Sequence, residues 1–128
     1  MHFLLDTHAL IWWMTENPSL PESVRRLLVD KRNTVVVSAA SAWEMATKVR
    51  LGRLPAAADI TRNFQDYMTQ SGFESLPVSA AHGIRAGLLP GPQHDPFDRM
   101  LIAQAQAEDL TMVSNEVIFD SYGIRRAW

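Results

Sequence analysis

The sequence predicts an α/β fold, a three-layer sandwich in which helices flank a central, mostly parallel sheet. Three observations predict it. Short apolar or β-branched runs alternate with helical patterns along the whole chain. The run FLL at 3–5 is short and apolar, as in a buried strand, and TVVV at 34–37 is β-branched throughout. Turn signals (Asn17-Pro18, Asn33, Gly52, Gly72, Pro90-Gly91-Pro92) separate nearly every pair of segments.

Phe3 to Leu5 reads as a buried strand, and Thr7 to Met14 as a helix directly behind it, stopped by Asn17-Pro18. Pro21 to Lys31 places Val24, Leu27 and Leu28 at helical spacing, and Thr34 to Val37 reads as the second strand. Ser38 to Leu51 is helical and closes on Gly52; Ala57 to Ser71 is read as one further helix closed by Gly72. Leu76 to Val78 is a weaker strand, followed by a helix over Ala80 to Leu88 and then a Pro-Gly-Pro loop. Pro96 to Ala107 reads as a helix, Thr111 to Ser114 as a strand, Val117 to Tyr122 as a short turn or helix, and Ile124 to Ala127 as an edge strand.

The chain has 128 residues with no repeat, low-complexity tract or linker, so a single domain over 1–128 is expected. Hydrophobic residues make up 47% and charged residues 20%, which excludes a disordered chain. A net charge of -2 gives no reason of its own to expect a nucleic-acid partner. The absence of cysteine excludes disulfides and thiolate metal sites. No basic leader precedes Asp6, and no run reaches the roughly 18 apolar residues of a membrane span, so a cytoplasmic protein without membrane contact is expected.

In parallel sheets ligands bind beyond the carboxyl ends of the strands, so polar residues at those positions matter. Asp6 follows the first strand at once; Ser38 and Ser41 follow the second, with Glu44 one turn on. Ser114, Asn115 and Glu116 follow the strand at Thr111, and Asp95 and Asp98 open the helix before it. Each acid has an ordinary explanation. Asp6 suits a helix N-cap, and Ser41 with Glu44 matches a capping box, which leaves cap and ligand equally open for Glu44. Asp95-Pro96 reads as an N-cap with proline at the first helical position. Asp98 lies on the same helical face as Leu101, Ile102 and Ala105, the face that packs on the sheet.

Taken together the acids are harder to dismiss. Carboxylates brought to one sheet edge repel, and at least one pKa must rise. Mg²⁺ or Mn²⁺, hard cations that take oxygen ligands, relieve that repulsion and suit phosphoryl chemistry. Setting aside Asp6, Glu44, Asp98 and Glu116 changes the formal charge from -2 to +2. Lys48, Arg50, Arg53 and Arg99 then become candidate phosphate contacts, although each also reads as a solvated helix face.

The segments LLDTHALIW at 4–12, SAASAWEMATKVRLGRL at 38–54, DPFDRMLIAQA at 95–105 and VSNEVIF at 113–119 resemble PIN-domain proteins, and more closely the VapC-type toxins of bacterial toxin–antitoxin pairs. They stand in the family's order and span nearly the whole chain. The resemblance implies a PIN fold and a Mg²⁺- or Mn²⁺-dependent endoribonuclease that hydrolyses RNA phosphodiesters with metal-activated water and no covalent enzyme intermediate. By position it implies Asp6, Glu44 and Asp98 as metal-binding catalytic acids, Glu116 as the fourth, and Asp95 as an auxiliary. Glu116 stands where the family more often has aspartate, and Gln93-His94 where relatives often show His-Arg. Ser38 and Thr7 are auxiliary candidates for holding ligands or phosphate, and Ser114 and Asn115 for holding the loop. A cognate antitoxin and a homodimer are the implied partners, with Trp12, Trp13 and Trp43 divided between core and apolar contact surface.

Other classes fit less well. Neither Ser38 nor Ser41 sits in a G-x-S-x-G elbow, as a nucleophilic hydrolase with His94 would require. Asp6-Thr7-His8 is not the D-x-D of a phosphoaspartyl enzyme, and His2, His8 and His82 form no H-x-x-x-H pair and read as packing or surface residues. A non-toxin PIN RNA-processing nuclease, or a catalytically weak PIN module that binds RNA or protein, completes the alternatives.

Overall fold

The computed structural model describes residues 1–128. Its centre is a five-stranded sheet in the order β3-β2-β1-β4-β5, with β1 His2–Leu5, β2 Thr34–Ser38, β3 Glu74–Leu76, β4 Thr111–Val113 and β5 Arg126–Ala127. All four pairings are parallel. The chain therefore builds outward from β1 to β3, then returns to β1's other side for β4 and β5. That reversal creates a switch point between β1 and β4, where crossover connections leave in opposite directions and a crevice opens.

Alternate residues of each strand serve opposite layers, as the two-residue period of a strand requires. Phe3, Leu5, Val35, Val37 and Val113 face one core with residues of α1 (Thr7–Met14), α2 (Glu22–Val29), α3 (Ala39–Arg50), α4 (Ala58–Arg62) and α5 (Phe64–Ser71). Leu4, Val36 and Met112 face the other, against Leu101, Ile102 and Ala105 of α7 (Pro96–Glu108) and Phe119 of a 3-10 turn over Val117–Tyr122. Between β3 and α7 lies α6, Ala80–Leu88, as the sequence predicts.

Three expectations change. The helix expected over Ala57 to Ser71 is a 3-10 turn at Pro55–Ala57 and then two helices divided at Asn63. The Asn63 amide donates to the backbone and side-chain oxygens of Asp59, offering the chain a local alternative to helical bonding. The third strand lies at Glu74–Leu76 and ends where Pro77 lacks the N–H to continue the ladder. Trp43 is not a core residue: it is 65% exposed, whereas Trp12 and Trp13 pack against the first core. No helix is long and apolar enough to cross a membrane.

Candidate functional site

Asp6 leaves β1 in extended conformation at the N-cap position of α1, but its carboxylate makes no capping bond. Its backbone N–H instead donates to the Val113 carbonyl, and the buried Ser114 hydroxyl donates to its Oδ2 at 2.7 Å. The first strand thus delivers a carboxylate into the switch point, and the end of β4 holds it there. Burial raises the Asp6 pKa; the Ser114 bond and His8 oppose that rise, and Glu44 adds to it.

The Ser114 oxygen also accepts from the Glu116 backbone N–H, at 3.0 Å. One hydroxyl therefore joins Asp6 to the loop that carries Glu116. Asn115, expected to help hold this loop, is exposed, and Ser114 does the joining. Glu116 is half-buried, and its Oε1 lies 3.6 Å from His8 Nδ1. Burial and then Asp6 push its pKa up, while His8 pulls it down.

Helix α3 begins directly after Ser38, whose hydroxyl caps it by accepting from the Ala40 N–H. That start rules out the Ser41–Glu44 capping box, and Ser41 instead accepts a bond from the Thr7 hydroxyl at 3.0 Å. Thr7 and Ser38 therefore bond within the protein, tying α1 to α3 and capping α3. Glu44 falls inside the helix and only 3% exposed. Its Oε2 accepts from Lys48 Nζ at 2.6 Å, and its Oε1 is buried with no partner at all.

Helix α7 begins at Pro96 with Asp95 as its cap, accepting from the N–H groups of Phe97 and Asp98. Asp95 is thus the helix cap that the Asp-Pro signal indicated. Asp98, in the first turn, accepts from the Gln93 amide at 3.2 Å. Its pKa is pushed up to about 8, first by burial and then by the charges of Asp6, Asp95, Glu116 and Glu44. That list is itself a statement of geometry: acids from four separate chain regions feel one another at one end of the sheet.

The cations are distributed differently from the sequence expectation. Arg99, a candidate phosphate contact, is engaged by the protein's own backbone. Its guanidinium donates to the carbonyls of Ala86, Leu89 and Gln93, stapling the Pro-Gly-Pro loop between α6 and α7. Lys48 serves Glu44 inside the acidic group rather than standing free for RNA. Arg50 and Arg53 remain exposed. His8, set aside by the sequence reading, belongs to the site: Asp6, His8 and Glu116 each bring a ligand atom within 4.8 Å of the others. Its position two residues after Asp6 was the available signal. Beside the acids, Trp43 meets Phe97 edge-on at 4.8 Å and lines an apolar cavity of about 440 Å³ with Val78, Pro96 and Met100.

This donor set fits a hard divalent cation. It is oxygen-rich, it includes a buried carboxylate oxygen without a hydrogen-bond partner, and burial followed by the charges of the neighbouring acids raises the Asp98 pKa to about 8. An orphaned buried oxygen costs about 1–3 kcal/mol, and more when charged, unless something pairs with it.

The PIN domain profile matches residues 3–124. Over 58 residues, 45% of this chain, the sequence is 41% identical to "Ribonuclease VapC16" of Mycobacterium tuberculosis; the match spans 41% of that protein's length. Among solved structures, VapBC2 of Rickettsia felis, bound to a promoter DNA fragment, superposes with a TM-score of 0.71 at 20% identity, covering 99% of this chain and 98% of that one. DNA-bound VapBC of Salmonella typhimurium gives 0.68 at 22%, covering 99% and 97%. VapC20 of Mycobacterium tuberculosis, described as a sarcin-ricin loop cleaving toxin, gives 0.69 at 13%, covering 95% of each chain. At these identities the structural likenesses speak for the fold.

Proposed function

The chain belongs to the PIN-domain family, and on that premise we propose that it is a divalent-metal-dependent endoribonuclease, the toxin of a VapC-type toxin–antitoxin pair. The observation that carries this reading is the buried, unpaired Glu44 Oε1 set among acids that raise one another's pKa. Most buried side-chain oxygens in folded proteins have a partner, and Gln104 Oε1 is also without one here, so it is the setting of Glu44 Oε1 among acids that supports a cation.

Asp6, Glu44, Asp98 and Glu116 are the residues that would hold Mg²⁺ or Mn²⁺. A cation held there would make water a competent nucleophile at neutral pH and offset charge on the phosphodiester. The chain's own groups supply the rest. Ser114 fixes Asp6 and the Glu116 loop relative to each other. The Asp95 cap and the Gln93 amide fix Asp98. Asp98, whose pKa is raised by burial and then by the neighbouring acids, would bind a cation as its carboxylate, because an opposing charge favours the ionised form. Arg50 and Arg53, exposed at and just beyond the end of α3, are the cations left to track an RNA backbone.

The relative named as a ribonuclease and the VapC20 neighbour support RNA as the substrate class. The VapBC neighbours support a protein antitoxin as partner. Exposed Trp43, Ile84 and Leu88 supply apolar surface for a homodimer or for that antitoxin. The intact acidic set favours a nuclease over a module that binds without cleaving. The test is incubation of the purified chain with labelled RNA in Mg²⁺, Mn²⁺ or EDTA, beside Asp6→Asn. Cleavage is expected with metal alone and is expected to fall at least about 100-fold in the variant, the scale of lost charge-stabilising groups in active sites. Cleavage in EDTA, or full activity in Asp6→Asn, would refute the reading.

A further inference from the structure

Lys48 lies one turn beyond Glu44 on α3, and its ammonium approaches the acids from the solvent side, with the side chain 33% exposed against 4% for Glu44. An i,i+4 Glu–Lys pair is common on helices, where both ends are solvated and the gain is small. This pair is different in two ways. Its carboxylate is buried, and only one of the two oxygens is engaged: Oε2 holds the ammonium while Oε1 has no partner. Lys48 also feels Asp95 and Asp98, so its charge is shared by the acidic group. Arg99, the nearest alternative in sequence to Asp98, is fully committed to backbone carbonyls.

We propose that Lys48 is a positioning residue for the divalent cation: it occupies Glu44 Oε2, so that Oε1 alone is offered to the metal, and it offsets one negative charge where an anionic phosphodiester must approach. This rests on the metal-nuclease reading above. Two consequences follow from charge and geometry. Without the ammonium, both Glu44 oxygens become available and the site gains a net negative charge, so divalent cations bind more tightly. The filled site then presents less positive charge to RNA, and the carboxylate is no longer held in one orientation, so cleavage slows. A helix-stabilising lysine would produce neither change in metal affinity nor opposed effects on metal and substrate.

The experiment is calorimetric titration of the purified chain with Mn²⁺, in wild type, Lys48→Met, Lys48→Gln and Lys48→Arg, with RNA cleavage measured in parallel. Removing a unit charge from beside a divalent one is worth about tenfold even at the dielectric of water. Lys48→Met is therefore expected to bind Mn²⁺ about tenfold more tightly, with kcat/KM for RNA reduced and KM raised; Lys48→Arg should keep the wild-type Mn²⁺ affinity. Lys48→Gln retains a donor for Oε2 without the charge, and it carries the same expectation of tighter binding should the methionine variant not fold. Unchanged or weaker Mn²⁺ binding in a folded, uncharged variant overturns the role of Lys48 while leaving the metal-nuclease reading intact. A wild-type chain that takes up no Mn²⁺ overturns both.

Discussion

Replacing Asp98 by asparagine should flatten part of the pH dependence of stability in the metal-free protein. In the folded chain Asp98 titrates at about 8, raised from 3.8 by burial and then by Asp6, Asp95, Glu116 and Glu44. Between those values the folded protein holds a proton that the unfolded chain has already released. Stability is therefore lost as pH rises through that window, and the loss is complete above the folded pKa. At about 1.4 kcal/mol per pH unit the rise corresponds to an upper bound of about 6 kcal/mol. Asp98 is only half-buried, and water screens it, so about 2–3 kcal/mol is the expected effect. The amide of Asp98→Asn resembles the protonated acid and has nothing to release. Urea unfolding in EDTA from pH 4 to pH 9 should show the two proteins alike at the acid end and the variant more stable by about 2–3 kcal/mol at the alkaline end. Asp6 and Glu116, raised in the same direction, give a residual slope common to both proteins. Saturating Mn²⁺ should abolish the difference or reverse its sign, because the wild-type carboxylate then has a cation to face. Parallel profiles in EDTA would refute the claim that burial and the neighbouring acids keep Asp98 protonated.

Ser114→Ala removes the donor to Asp6 and the acceptor for the Glu116 N–H; groups that orient metal ligands typically contribute 10- to 100-fold, so Mn²⁺ affinity and RNA cleavage should each fall by about that range, and calorimetry with wild-type values would show the hydroxyl to be dispensable. Arg99→Ala should lower the melting temperature, each lost charged hydrogen bond being worth about 1.5–3 kcal/mol, yet leave the salt dependence of RNA binding unchanged. Arg50→Ala and Arg53→Ala should do the opposite, each reducing the log–log salt slope for single-stranded RNA by about 0.7 with little effect on unfolding; a reduced slope in Arg99→Ala would return that residue to the RNA surface.

What was legible in the sequence followed from periodicity and from turn chemistry. Thr7–Met14 and Ala80–Leu88 have the boundaries read from the pattern, because Asp6 and Ser79 stand at their starts and Thr15 and Leu89 leave helical geometry at their ends. The parallel sheet was legible in the alternation of short strands with helices, since each crossover helix returns the chain to the same end of the sheet. The break at Asn63 was not, since asparagine is tolerated inside helices and its tie to Asp59 is a local competition that a hydrophobic pattern does not record. The acids were identified because their places after strands predicted convergence; which cation answers which carboxylate was not legible. Arg99 looked like a solvated arginine beside Asp98, but three carbonyls left open by the Pro-Gly-Pro loop claim it. His8 was passed over because histidine was sought in pairs, whereas here it joins two acids delivered by β1 and by the loop after β4.

Strand order explains why this end of the sheet can hold so much like charge. At the switch point Asp6 and Ser114 leave adjacent strands side by side, so the hydrogen bond that holds Asp6 spans 108 residues of sequence but only one strand spacing. Beneath them Leu4, Leu5, Met112 and Val113 are fully buried, two on each face, and they fix the strand ends more firmly than a loop could. The raised pKa values of Asp6, Asp98 and Glu116 mean that the same rigidity carries an electrostatic cost in the metal-free chain, largest at alkaline pH. A cation that binds only the folded chain recovers that cost through its binding free energy. Stability and metal affinity should therefore be linked: variants that remove a carboxylate, such as Asp98→Asn, gain stability without metal and lose the stabilisation that metal confers.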